Sequence, residues 1–329
     1  MTKPRILIAR AVFPEVLERL SQTLDVESNQ DDILWSRAEL TERLRDKDGA
    51  FTTGGERIDA ELLAACPRLK ICANMAVGYN NFDVPAMTAA GVLATNAPDV
   101  LTETTADMGF ALLMATARRI SESEAFLRAG LWNRWRYDMF VGTDVHGATL
   151  GILGMGRIGQ GVARRGAHGF GMKVIYHNRS RLDAATEAAC KATYVGKEEL
   201  FRQADHVVLV LPYSKEAHHT VGATEIGWMK PGANLINIGR GGLIDENALA
   251  DALAAGRIAG AGLDVFEGEP TVNPRLLALK NVVMTPHIAS ASVPTRLAMA
   301  NLAADNLISF FSGAGPRTPL NPEVWKTRG

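Results

Sequence analysis

Thr149-Leu150-Gly151-Ile152-Leu153-Gly154-Met155-Gly156-Arg157-Ile158-Gly159 is a short apolar run that breaks into a GxGxxG loop, and a helical pattern then continues from Ile158 to Gly169. Each glycine answers a physical need. Gly154 permits a tight turn, Gly156 lets the backbone approach a pyrophosphate, and Gly159 allows the helix to pack closely on the strand. The unpaired N–H groups and positive dipole end of the helix start then face the phosphates. Among 31 glycines such a spacing arises readily by chance. The strand before it and the helix after it give it meaning, and they make Gly154, Gly156, Arg157 and Ile158 expected dinucleotide contacts.

Outward from this loop, strand and helix patterns alternate. Strands are expected at Lys173–Tyr176, Val207–Leu211, Leu235–Ile238, Gly260–Val265 and Val282–Thr285, with helices around Leu182–Cys190 and over Glu246–Ala255. Toward the N-terminus, Ile6–Ala9, Gly49–Thr52, Leu69–Cys72 and Val92–Ala94 have the same short apolar character, and Pro14–Leu24 is helical in spacing. Such alternation predicts mostly parallel sheets covered on both faces. In 102–119, Ala106, Gly109, Phe110, Leu113, Met114 and Ala117 fall on one helical face. Thr102 is a plausible N-cap there, Glu103 suits the first turn, and Arg118 and Arg119 suit the carbonyl-rich end. The small residues on that face leave room for a close neighbour. A second long helix is expected over 295–311.

Composition narrows the partners. Thirty-five Lys plus Arg against 36 Asp plus Glu leave a net charge of −1, so there is no basic field to attract nucleic acid or an anionic membrane. No apolar run reaches the length of a membrane span, and the N-terminus lacks a secretory pattern, so a cytoplasmic protein is expected. The three cysteines, Cys66, Cys72 and Cys190, have no CxxC spacing, read as small buried hydrophobes, and suggest neither disulfide nor metal.

The strand Lys173–Tyr176 leads into His177-Asn178-Arg179-Ser180-Arg181, about 20 residues beyond the last glycine, where an NAD site would place an acid on the ribose 2′-hydroxyl. Asn178 with Arg179, Ser180 and Arg181 would instead welcome a 2′-phosphate. NADP(H) is therefore preferred, with NAD(H) possible. Further on, three potent side chains follow three expected strand ends: Arg240 in Ile238-Gly239-Arg240-Gly241-Gly242, Glu269 in Asp264-Val265-Phe266-Glu267-Gly268-Glu269, and His287 in Pro286-His287-Ile288. Ligands of doubly wound sheets sit at such carboxyl ends.

These segments, together with Val77-Gly78-Tyr79-Asn80-Asn81-Phe82-Asp83 and Leu101-Thr102-Glu103-Thr104-Thr105-Ala106-Asp107, resemble the D-isomer-specific 2-hydroxyacid dehydrogenases. The likeness is greatest to the branch of glyoxylate/hydroxypyruvate reductases and 2-ketogluconate reductases. It implies two Rossmann-like, doubly wound α/β domains with a cleft between them. The substrate-binding domain would be 1–100 plus 290–329, the cofactor-binding domain 101–289, and closure of the cleft would exclude water. It implies His287 as general acid toward a 2-oxo acid, Glu269 as the group that holds and charges the imidazole, and Arg240 as a substrate clamp. The backbone N–H groups of Val77 and Gly78 would take a substrate carboxylate. Asp264 would face the nicotinamide carboxamide, and Leu211, Pro212, Ile238, Arg240 and Thr105 would lie along the cofactor.

A homodimer is also implied. Trp132 and Trp135 read first as packing residues, with a dimer contact as the alternative. His146, His168, His177, His206, His218 and His219 read as surface or structural. Ala289-Ser290-Ala291-Ser292 departs mildly from the family's usual sequence after His-Ile. Two rival readings keep the fold: a nucleotide-sensing scaffold like the corepressors of this family, and a formate- or phosphite-type dehydrogenase.

Overall fold

Strand β1 (Arg5–Ile8) turns Ile6 and Ile8 toward one apolar layer and Leu7 toward another, the period-2 pattern of a strand buried on both faces. In the computed structural model, which describes residues 2–327, the chain divides into two compact units. One runs to Leu101 and resumes at Ala291; the other is Thr102–Ser290.

The first unit holds β1, β2 (Asp25–Ser28), β3 (Gly49–Thr52), β4 (Ile71–Asn74) and β5 (Leu93–Thr95) in the order β2-β1-β3-β4-β5, every pair parallel. Helix Val293–Phe311 covers one face through Ala300, Ala303, Ala304, Leu307 and Phe310, beside Val16 and Leu20 of helix Pro14–Thr23. Leu40, Leu62 and Met87 cover the other face, where Cys66 and Cys72 are also buried. Burial pushes the Cys72 thiol far above its ordinary range, so it behaves as a hydrophobe.

The second unit holds β6 (Thr149–Leu153), β7 (Lys173–His177), β8 (Ala192–Tyr194), β9 (His206–Leu209), β10 (Asn234–Asn237), β11 (Gly260–Leu263) and β12 (Val282–Met284). They form one seven-stranded parallel sheet, ordered β12-β11-β10-β9-β6-β7-β8. Leu150, Ile152, Val208 and Ile236 face the layer of helix Thr102–Ala117, while Val207, Leu209 and Leu235 face the opposite layer. The strand order reverses between β6 and β9, and a switch point of this kind opens a crevice at the carboxyl ends. Among the described residues no helix is long and apolar enough to cross a membrane.

Several local expectations are corrected. The helix expected over 102–119 ends at Ala117, because Arg119 takes a left-handed φ of 51° and a separate helix, Ile120–Arg128, begins after it. Thr102 is the first helical residue rather than the cap. Glu103 does more than meet the dipole: it pairs with Arg164 at 2.6 Å and Arg165 at 2.8 Å. The small face of this helix receives neighbours of its own unit, since a Cβ at Gly109 would lie 2.7 Å from Ile238 Cδ1. The helix after the glycine loop stops at Arg164, and Arg165–Gly169 continues as a wider π-turn. Trp132 and Trp135 do not pack in the chain; they are 54% and 75% exposed.

Candidate active site

β10, β11 and β12 are neighbours in the sheet and all run the same way, so the segments that leave their carboxyl ends emerge side by side. Arg240 stands three residues past Asn237, the last residue of β10. Its turn is braced by Asn237, whose Nδ2 donates to Arg240 O at 2.8 Å and whose Oδ1 accepts the Gly239 N–H at 3.0 Å, an Asx-turn. Gly241 then lies hard against the segment leaving β11. A Cβ there would meet the Phe266 carbonyl carbon at 1.8 Å and Glu267 N at 2.2 Å, so only glycine lets the two segments touch.

The β11 segment folds back on itself, with the Phe266 N–H donating to Glu269 Oε1 at 2.8 Å. The other Glu269 oxygen, Oε2, accepts from His287 Nδ1 at 2.7 Å. A carboxylate is acceptor-only, so Nδ1 carries the proton and Nε2 is the nitrogen left to exchange one. Burial pushes the Glu269 carboxyl upward. The hydrogen bonds from His287 and Phe266, with the charges of His287 and Arg240, outweigh it and hold the group below its ordinary value. Burial lowers Arg240 from its ordinary value and the nearby Glu269 charge partly restores it, so the guanidinium stays charged. The structure thus brings Arg240, Glu269 and His287 together.

His287 itself sits at φ 54°, in the left-handed region that few residues other than glycine occupy. Asp264, fully buried, is what holds it. Its carbonyl accepts the His287 N–H at 2.9 Å, and its carboxylate accepts the N–H groups of Ile288 and Ala289 at 2.8 Å and the Thr285 hydroxyl at 2.6 Å. This bracing role escaped the sequence reading.

The dinucleotide crevice is equally built. Gly154 has φ +102°, and a Cβ on it would lie 2.9 Å from Leu211 N; one at Gly159 would lie 2.3 Å from Gly154 O. Leu211 and Pro212 therefore leave β9 directly beside the loop at the switch point. Helix Arg157–Arg164 starts at Gly156 with no side-chain cap, so its positive end faces the crevice where a phosphate would sit. Asn178 Oδ1 accepts the Met155 N–H at 2.7 Å and so shapes the loop. Arg181 is bound through two bonds, 2.9 and 2.8 Å, to Glu187, which the Tyr176 hydroxyl also contacts at 2.7 Å. Arg179 and Ser180 are exposed, and the Arg179 charge is felt by Glu216. Thr105 is buried inside helix Thr102–Ala117 and Ile238 is buried beneath the crevice. A glycine cradle in which a Cβ at Gly154 or Gly159 would clash with backbone, at the start of a helix without a side-chain cap, fits a nicotinamide dinucleotide.

In the other unit, Val77 and Gly78 turn their carbonyls to Asn96 Nδ2 at 2.8 Å and Asn74 Nδ2 at 3.0 Å. Neither donates its own N–H to another described residue.

Residues 110–289, more than half of the chain, match the family model described as "D-isomer specific 2-hydroxyacid dehydrogenase, NAD binding domain". The chain belongs to the D-isomer-specific 2-hydroxyacid dehydrogenases. Like its family it is an oxidoreductase that uses a nicotinamide cofactor. A glyoxylate reductase of Thermococcus gammatolerans is 48% identical over 330 residues, 99% of this chain and 98% of the relative. One from Pyrococcus furiosus is 45% identical, with 99% and 98% covered. Among solved structures, the NADPH-dependent glyoxylate/hydroxypyruvate reductase of Sinorhizobium meliloti, in complex with NADP and malonate, superposes with a TM-score of 0.87 at 38% identity and covers 98% of each chain.

Proposed function

We propose that this dehydrogenase reduces small 2-oxo acids, namely glyoxylate, hydroxypyruvate and 2-ketogluconate, to 2-hydroxy acids, of D configuration wherever C2 becomes a stereocentre, in the cytoplasm, with NADPH preferred over NADH. The observation that carries the reading is the 2.7 Å bond from His287 to Glu269 beside Arg240, at the carboxyl edge of the dinucleotide-binding sheet. Bound NADPH supplies the hydride to the carbonyl carbon. As that bond forms, Nε2 of the His287 imidazolium gives its proton to the carbonyl oxygen, and Glu269 stabilises the cation until then. Arg240 pairs with the substrate carboxylate or carbonyl oxygen as a charge that cannot be titrated away. Val77 and Gly78 are assigned to the substrate carboxylate, because their N–H groups are undonated. Asp264 holds the His287 turn and faces the nicotinamide in the same reading.

A panel of 2-oxo acids assayed with both reduced cofactors tests the proposal. Glyoxylate and hydroxypyruvate should be turned over fastest, and with NADPH; activity confined to formate or phosphite oxidation would defeat it. The cofactor preference rests on Arg179 more than on Arg181, whose guanidinium Glu187 already occupies. A charge-assisted hydrogen bond contributes about 1.5–3 kcal/mol. The Arg179→Glu variant should therefore lose roughly 10–100-fold in kcat/KM for NADPH while keeping its value for NADH. Equal losses with both cofactors would reassign the residue.

A homodimer belongs to the same reading. Helix Ile120–Arg128 buries none of its residues, and the segment after it exposes Leu131, Trp132, Trp135 and Tyr137, the last at 90%. Aromatic clusters of this kind mark protein interfaces, and a second copy of this chain is the occupant proposed. A buried interface Trp contributes about 2–4 kcal/mol, so Trp135→Asp should weaken the dimer by more than about tenfold. Sedimentation equilibrium would read this as a shift toward single chains, and a parent protein already monomeric at every concentration would refute it.

A further inference from the structure

The segment after β9 carries two histidines that the reaction does not use. His218 and His219 stack at 3.7 Å between ring centroids, and both turn Nε2 toward one carboxylate. His219 Nε2 lies 2.8 Å from Glu267 Oε2 and His218 Nε2 lies 3.8 Å from Glu267 Oε1. One ligand atom from each of the three groups falls within 4.8 Å of the others. We infer that His218, His219 and Glu267 form a binding site for a late first-row transition ion of the Zn²⁺ class.

Four features of the molecule favour an ion there. Two imidazole nitrogens and a carboxylate oxygen are a donor set for Zn²⁺, Co²⁺ or Ni²⁺, whereas Mg²⁺ and Ca²⁺ take oxygen shells. The Tyr213 hydroxyl stands 3.2 Å from His218 Nδ1 and can accept a hydrogen bond from its N–H, which keeps the proton on Nδ1 and leaves the Nε2 lone pair for metal. The Glu267 backbone N–H donates to Glu246 Oε1 at 2.8 Å, which fixes the main chain that carries the carboxylate ligand. Finally, the backbone is held independently of the side chains, with the His219 N–H donating to Gly242 O at 2.8 Å. The rings are 40% and 37% exposed, which leaves them free to turn about Cβ–Cγ until both lone pairs point at one ion. Water would complete the coordination.

The consequence is mechanical. An ion there ties the segment after β9 to the Phe266–Glu269 turn, the same turn that positions the His287 partner. The test is calorimetric titration of ZnCl₂ into the full chain without an affinity tag. One ion per chain should bind saturably, and the loaded protein should show slowed amide exchange in 213–221 and 266–269. His219→Gln and Glu267→Gln should each weaken binding by roughly tenfold or more, while His146→Gln and His287→Gln leave it unchanged. His218→Gln, at an exposed position, repeats the test should the others fold poorly, with circular dichroism as the check. Absence of saturable binding, or binding unchanged in all three ligand variants, overturns the inference.

Discussion

The His287→Ala variant is expected to turn over about 10²–10⁴-fold more slowly than the parent, the range that a positioned general acid contributes. Its affinity for NADPH, read by quenching of protein fluorescence, should be unchanged, because the glycine cradle and the segments beside it contain no contact to this side chain. Alanine alone leaves an ambiguity. His287 sits at φ 54°, where a Cβ residue is strained and asparagine is tolerated better. His287→Asn therefore keeps the turn that Asp264 braces while removing the exchangeable proton. If the imidazole acts only as a structural plug, His287→Asn should restore turnover; if it donates the proton, both variants should be equally slow. Parent-like kcat in either one would remove the assigned role.

Much of this was legible beforehand, for a physical reason. Strands of a parallel sheet covered on both faces read as short, nearly continuous apolar runs, and β3, β4, β6, β9 and β10 show it in Gly49–Thr52, Ile71–Asn74, Thr149–Leu153, His206–Leu209 and Asn234–Asn237, where polar side chains stand only at the strand ends. The edge strands β2 and β8 carry no such signal, since Asp25–Ser28 and Ala192–Tyr194 keep a side in water. The order of the strands, which makes β10, β11 and β12 neighbours, follows the tendency of consecutive strands to lie side by side and is what lets residues 240, 269 and 287 meet.

Other features were hidden because their partners are distant or their chemistry is negative. Nothing local to Asp264 announces that it binds backbone 24 and 25 residues away. The tightness at Gly241 depends on a carbonyl from another strand end. Arg179 and Arg181 look equivalent in the chain, yet only Arg181 meets Glu187, because the helix capped by Asp183 carries that carboxylate back to it. Asn237 before Ile-Gly-Arg is the exception: an Asx-turn signal was present in the residues themselves.

Arg240 sets the second large effect. Its Nη1 donates to Gly239 O at 2.7 Å, so part of the guanidinium is spent holding its own turn and the rest of the planar fork is aimed by that anchor. Lysine keeps the charge but offers one rotating ammonium, which cannot both hold Gly239 O and meet a carboxylate. Losing one charge-assisted bond costs about 1.5–3 kcal/mol, so Arg240→Lys should lower kcat/KM for glyoxylate by roughly 10–100-fold at saturating NADPH. Arg240→Gln also removes the positive charge that helps hold Glu269 below its ordinary value, so a second loss of about 1.5–3 kcal/mol adds to the first. That variant should fall further, by roughly 10³-fold. The split between constants locates the contact. A rise in KM with kcat retained means Arg240 binds the carboxylate equally in ground and transition states, whereas a matching fall in kcat and kcat/KM places it on the carbonyl oxygen as charge develops there. Parent-like kcat/KM in Arg240→Lys would leave only the charge, and not the fork, in the mechanism.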